Sequence, residues 1–121
     1  MEVVLGLHGR IATAIVLYLS IVGLWGLWLG IRGSGPTANF IGALVIAEIV
    51  AVAQGLFGVA LLFSRAPANS VHILYGFALA LAIPLAATLV RHRPPRAISF
   101  AFGFMALFAS GLAIRGIMTA G

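Results

Sequence analysis

Four long apolar runs succeed one another along this chain, each closed by a short polar or turn-forming link. The first covers residues 11–31 and stops at Arg32, before Gly33-Ser34-Gly35-Pro36-Thr37, where Gly and Pro punctuate the helix ends. The second covers 40–63 and ends at Ser64-Arg65; Asn69 or Ser70 is placed to cap the third helix. The third covers 71–90 and carries Pro84, a candidate kink. After Arg91-His92-Arg93-Pro94-Pro95-Arg96, a fourth run covers 97–114 and closes at Arg115. A helix needs about 20 residues to cross the hydrocarbon of a bilayer. The pattern therefore predicts an all-α integral membrane protein, an antiparallel four-helix bundle forming a single transmembrane domain over residues 1–121.

Composition strengthens this reading. Of the 121 residues, 63% are hydrophobic and 7% charged, and the mean hydropathy is +1.20. A small water-soluble domain has too little interior to hide so much apolar surface, whereas a bilayer is itself the solvent for it. The first run is long enough to span and so is expected to act as its own insertion signal rather than as a cleaved leader. The net charge of +5 comes from seven Arg set against two Glu. The arginines fall between apolar runs, as solvated membrane loops do, and nucleic acid is not an expected partner. Arg32, Arg91, Arg93 and Arg96 fall on one side of a four-span topology, and Arg10, Arg65 and Arg115 on the other. The positive-inside rule then favours both termini outside, in a bacterial or archaeal cell membrane. With no Cys, disulfides, thiolate metal sites and covalent heme attachment are excluded.

Small residues supply helix contacts. Gly26 and Gly30 form a GxxxG step, and Gly55 with Gly58 and Gly103 with Gly111 offer further thin faces. Their simplest use is bundle packing. Tyr18, Trp25 and Trp28 are either interfacial anchors or core fillers.

A polar side chain in lipid costs several kcal/mol unless it is satisfied, which draws attention to His8, Glu48, Gln54, His72 and, less sharply, Tyr75. His92 belongs to a solvated turn. His8 and His72 open the two odd-numbered helices, which run parallel in an up-down bundle, so both imidazoles lie near one membrane face. Those helices sit on the diagonal, roughly 11–14 Å apart given neighbouring axes about 8–10 Å apart. That gap suits a flat macrocycle with an axial His on each side. Ordinary interfacial histidines fit the positions equally well. Zinc fits less well, because it asks for three or four ligands. Gly76, one turn after His72, leaves room for a ring, and Arg10, Arg65 and Arg115 share the histidine face, where they can pair with heme propionates or simply snorkel. Gln54 can hydrogen-bond across the bundle. Glu48 lies deeper and reads best as a neutral, hydrogen-bonded structural group.

The run Gln54-Gly55-Leu56-Phe57-Gly58, then Pro67, then Val71-His72, resembles the Q-x-x-x-G … P … H pattern of the heme A synthases, and His8-Gly9-Arg10 is similar to the His-Arg opening of that family's first helix with one residue inserted. Those proteins consist of two similar four-helix halves, each with a His pair near the outer face. The resemblance covers about residues 7–76 by motif and implies that His8 and His72 are axial ligands of one b-type heme. Leu5 stands where the family's catalytic half carries a Glu, and only one half is present.

The expected function is thus a bis-His heme b protein of the membrane, serving electron transfer or assembly in a respiratory or photosynthetic chain. One alternative is a cofactor-free accessory subunit of a larger membrane complex. A second is an oligomeric enzyme of the heme A synthase type. Expected partners are the lipid bilayer and either other membrane subunits or further copies of the chain.

Overall fold

The computed structural model describes residues 2–64 and 70–120, and within them the chain forms α1 (Glu2–Ile31), α2 (Ala38–Ser64), α3 (Ser70–Val90) and α4 (Pro95–Ala120). All four are long and apolar enough to cross a membrane. The helices outrun the apolar stretches that predicted them. Between Glu2 and Ile11 no Pro or capping pattern interrupts the chain, so the backbone keeps its own hydrogen bonds and α1 begins well before the apolar run. His8 consequently lies inside α1, in its second turn, and not at its start. At the other end, α4 continues past Arg115 to Ala120. α3 runs through Pro84 as one helix.

The link from α1 to α2 is fixed by ordinary capping chemistry. Gly33 adopts φ +76°, its N–H donates to Gly30 O at 3.0 Å, and the Ser34 N–H donates to Leu29 O at 2.8 Å. This is a Schellman closure, with Gly at the one position that requires a left-handed backbone. Thr37 starts α2, its Oγ1 accepting from the Phe40 N–H at 3.1 Å. α4 reaches back to this link. Arg96 Nε donates to Gly30 O at 2.8 Å, and the fully buried Ser99 donates from Oγ to Ser34 O at 2.7 Å. Thr37→Ala should cost about 1 kcal/mol, the usual worth of an N-cap, and would be read as an earlier midpoint in a denaturant titration in detergent.

α1 packs most extensively on α4 and then on α2; α4 also carries α3, while α2 and α3 touch over a short stretch. Among the described residues α1 makes no close backbone approach to α3, nor α2 to α4, so these pairs are the diagonals. Gly23 faces Leu107, Gly26 faces Gly103 and Gly30 faces Phe100; the numbers rise on one helix as they fall on the other, so α1 and α4 run in opposite directions. The same holds for α1 and α2, where Tyr18 Oη donates to Ala43 O at 2.8 Å and Trp25 meets Phe40 edge-on at 5.4 Å. Trp25 and Tyr18 are therefore internal contacts. Trp28 is outward, more than half exposed, with the Arg32 guanidinium over its ring at 5.5 Å.

The α1–α4 crossing is very close. A Cβ on Gly26 would stand 2.7 Å from Gly103 Cα, and one on Gly103 would stand 2.7 Å from Leu27 N. This contact is what the small-residue pattern at Gly26 and Gly30 is for, although Gly23 completes it and Gly111 takes no part. Farther along the seam, Ser20 and Ser110 hydroxyls meet at 2.8 Å and share the Val16 carbonyl, satisfying their polarity inside the pair.

Burial is uneven along the helix axes. The buried residues of α1 start at Ile15, those of α2 end at Gln54, those of α3 start at Leu79, and those of α4 end at Ala113. One end of the molecule is thus a packed core of Leu, Val, Phe and Ala, and the other end is open. The outward faces carry exposed Ile21, Leu24, Ile49, Leu74, Leu85 and Phe108.

Candidate functional site

The open end holds the histidines. His8 in α1 and His72 in α3 each precede the first buried residue of their helix by seven positions, Ile15 and Leu79. Seven residues are about two turns, so each ring lies on the same face as that core residue and one layer above it. The two imidazoles meet across the diagonal with centroids 6.1 Å apart and planes at 73°. Both rings are partly buried.

Each histidine is held by a different helix. His72 Nδ1 lies 2.8 Å from Gly116 O of α4. A carbonyl can only accept, so Nδ1 carries the proton and Nε2 keeps its lone pair. This is the arrangement by which metal-binding histidines are oriented in proteins. On α1, the His8 carbonyl accepts from Gln54 Nε2 at 2.8 Å, locking α1 to α2 at the level of the site. Gln54 is 9% exposed. Two buried atoms here have no hydrogen-bond partner: His8 Nδ1 and Gln54 Oε1.

One glycine, Gly58, touches the pair, and the glycines of this end differ from those at the α1–α4 crossing. A Cβ on Gly58 would rest 3.5 Å from His8 Cε1, in ordinary contact, and one on Gly55, Gly76 or Gly111 would meet nothing within 4 Å. Gly42, at the far end, likewise meets nothing, so the difference lies in the α1–α4 seam, where Gly23, Gly26, Gly30 and Gly103 are closely faced. Gly76 stands one turn beyond His72 on an exposed face.

The remaining sequence-predicted residues divide. Arg10 is exposed and lines a shallow recess with Glu2, Val3, Gly6 and Leu7; two positions beyond His8, it turns to the other side of α1 and does not join the histidine pair. Arg115 is exposed, one residue before the carbonyl that holds His72. Arg65 and Pro67 lie outside the described residues. Tyr75 is partly buried. Glu48 sits on the far side of Gln54 from the histidines, with its Oε1 buried and unpartnered. His92 is exposed in the turn before α4. Sequence reasoning missed Gly116, since a backbone acceptor leaves no signature of its own.

Two imidazoles on opposite sides of one metal atom, with bonds of about 2.0–2.1 Å, have ring centres about 6.3 Å apart, against about 5.2 Å at a tetrahedral angle. The observed 6.1 Å falls at that spacing, and rotation about a shared N–metal–N axis leaves the angle between the planes free. Among the described residues no three His, Cys, Asp or Glu side chains cluster as metal ligands. The donor set is therefore two imidazoles, one from α1 and one from α3. That set fits an ion whose other four ligands arrive with it, as in a porphyrin, better than a bare ion that must find them in the protein.

No family model, curated protein or solved structure matches the chain.

Proposed function

We propose that this chain is a membrane-embedded antiparallel four-helix protein that holds one b-type heme between His8 and His72, and that it serves electron transfer or the assembly of an electron-transfer complex. The observation that carries the reading is the pair of imidazoles from diagonal helices at the spacing of a shared metal atom, 6.1 Å. Supporting it are the Gly116 carbonyl behind His72 and the motif resemblance to the heme A synthases at Gln54, Gly58, His8 and His72. Iron with two axial histidines has no open position and exchanges electrons in preference to binding oxygen.

The chain's own residues would divide the work. His8 and His72 supply the axial nitrogens, Gly116 orients one ring, and Gln54 holds α1 and α2 at the right height. Gly58, beside His8, and Gly76, one turn after His72, would add no side chain next to the bound group. Arg115, exposed one residue before the Gly116 carbonyl, would be the candidate partner for a propionate. α1 is about 45 Å long at 1.5 Å per residue, more than the roughly 30 Å hydrocarbon layer. With Arg32 and Arg96 at one interface, the histidines fall near the other, where propionates reach water; the arginine balance makes this the outer side.

Purification from heme-supplied cells should give a reduced-minus-oxidised spectrum with sharp b-type bands and one heme per chain. A colourless protein that gains no such bands on titration with heme would sink the reading. A cofactor-free accessory subunit then becomes the better account, favoured by the short contact between α2 and α3, which leaves both helices free for another subunit.

A further inference from the structure

The two orphaned atoms at the site are chemically complementary. If His8 offers Nε2 to a ligand, its Nδ1 must carry a hydrogen and needs an acceptor. Gln54 Oε1 is an acceptor that lacks a donor. The two belong to residues already in contact, because the same carboxamide donates through Nε2 to the His8 carbonyl at 2.8 Å. Gln54 is more than nine-tenths buried, so water does not readily replace a missing partner, and buried polar atoms in native proteins are rarely left unpaired.

We infer that Gln54 is a positioning residue for His8: its Oε1 accepts the His8 Nδ1–H, selects the tautomer that leaves Nε2 as the ligand, and so does for α1 what the Gly116 carbonyl does for His72. The inference rests on the heme reading for its purpose but not for its chemistry. The carboxamide then grips one residue twice, at the backbone and at the ring. His8 and His72 thereby receive matched outer partners, one a side chain from α2 and the other a carbonyl from α4.

The test uses the full-length protein in detergent, labelled with 15N-histidine, first without heme. In the wild type His8 should show the Nδ1–H tautomer; in Gln54→Leu it should revert to the Nε2–H form that free imidazole prefers. Gln54→Glu separates the two contacts, since it keeps an acceptor and loses the donor to the His8 carbonyl. It should retain the Nδ1–H tautomer. With heme added, Gln54→Leu should bind about 10–100-fold more weakly, the usual loss when an outer-shell partner is removed, whereas Gln54→Glu should bind well and at a lower midpoint potential. An unchanged His8 tautomer in Gln54→Leu overturns the inference, as does Gln54→Glu behaving like Gln54→Leu. A tautomer switch in a protein that binds no heme overturns the heme reading and leaves the role of Gln54 standing.

Discussion

His8→Ala and His72→Ala should each abolish the low-spin b-type spectrum and cut retained heme at least tenfold, and the double variant should purify without heme. The expectation rests on the geometry of the pair. Their rings stand 6.1 Å apart on diagonal helices, and no third His, Cys, Asp or Glu among the described residues clusters with them to take over as ligand. If iron is held there as proposed, loss of one ring would leave it with a single protein ligand. Neither histidine contributes to the packed core, which begins two turns away at Ile15 and Leu79, so helix content by circular dichroism should be unchanged. His92→Ala is the internal control: exposed in the turn before α4, it should leave spectrum and heme content as they are. Low-spin heme persisting in the double variant would remove both histidines as ligands.

Gly26→Leu and Gly103→Leu should have the largest effect on the fold itself. At both positions the first atoms that a side chain would meet belong to backbone, Gly103 Cα in one case and Leu27 N in the other, each at 2.7 Å. Backbone cannot step aside as a rotamer does, so the helices must separate, and separation opens the Ser20–Ser110–Val16 hydrogen-bond cluster along the same seam. Overpacking commonly costs about 1–3 kcal/mol, and here the upper end or beyond is expected. Gly76→Leu is the informative contrast: a Cβ there meets nothing within 4 Å, so stability should hold while heme uptake falls. Midpoints of denaturation in detergent, with heme content beside them, separate the two outcomes.

Much of the architecture is legible in the sequence because bilayer-length apolar runs and their breakers are strong signals. The helix count, Gly33 as a stop, Thr37 within the first link and Arg96 near a helix start can all be read from residue types alone. Helix ends are less legible. Nothing in residues 2–10 stops a helix, and hydropathy averages mark only the apolar part of α1; the early start moves His8 from a helix end to a helix interior. Pairing is harder still. Gly26 and Gly30 announce a thin face, yet that Gly103 rather than Gly111 fills it depends on the relative rotation of α1 and α4. At the site, matched depth is enough to pair His8 with His72, but the 6.1 Å spacing depends on both rotamers. Arg10 shares the histidines' membrane face by its place in the sequence, and its neighbours in the recess, Glu2, Val3, Gly6 and Leu7, become visible only in the folded helix.

The gradient of packing along the axes has a mechanical consequence. Capping bonds, the glycine crossing and the aliphatic core clamp the helices at one end, whereas the histidine end is tied by the hydrogen bonds of Gln54 to the His8 carbonyl and of His72 to the Gly116 carbonyl. A structure yields first where its buried contacts are fewest, so the ring spacing is the part most open to adjustment. If a prosthetic group is held there as proposed, its loading would be a local adjustment at that end, with the packed end left as it is.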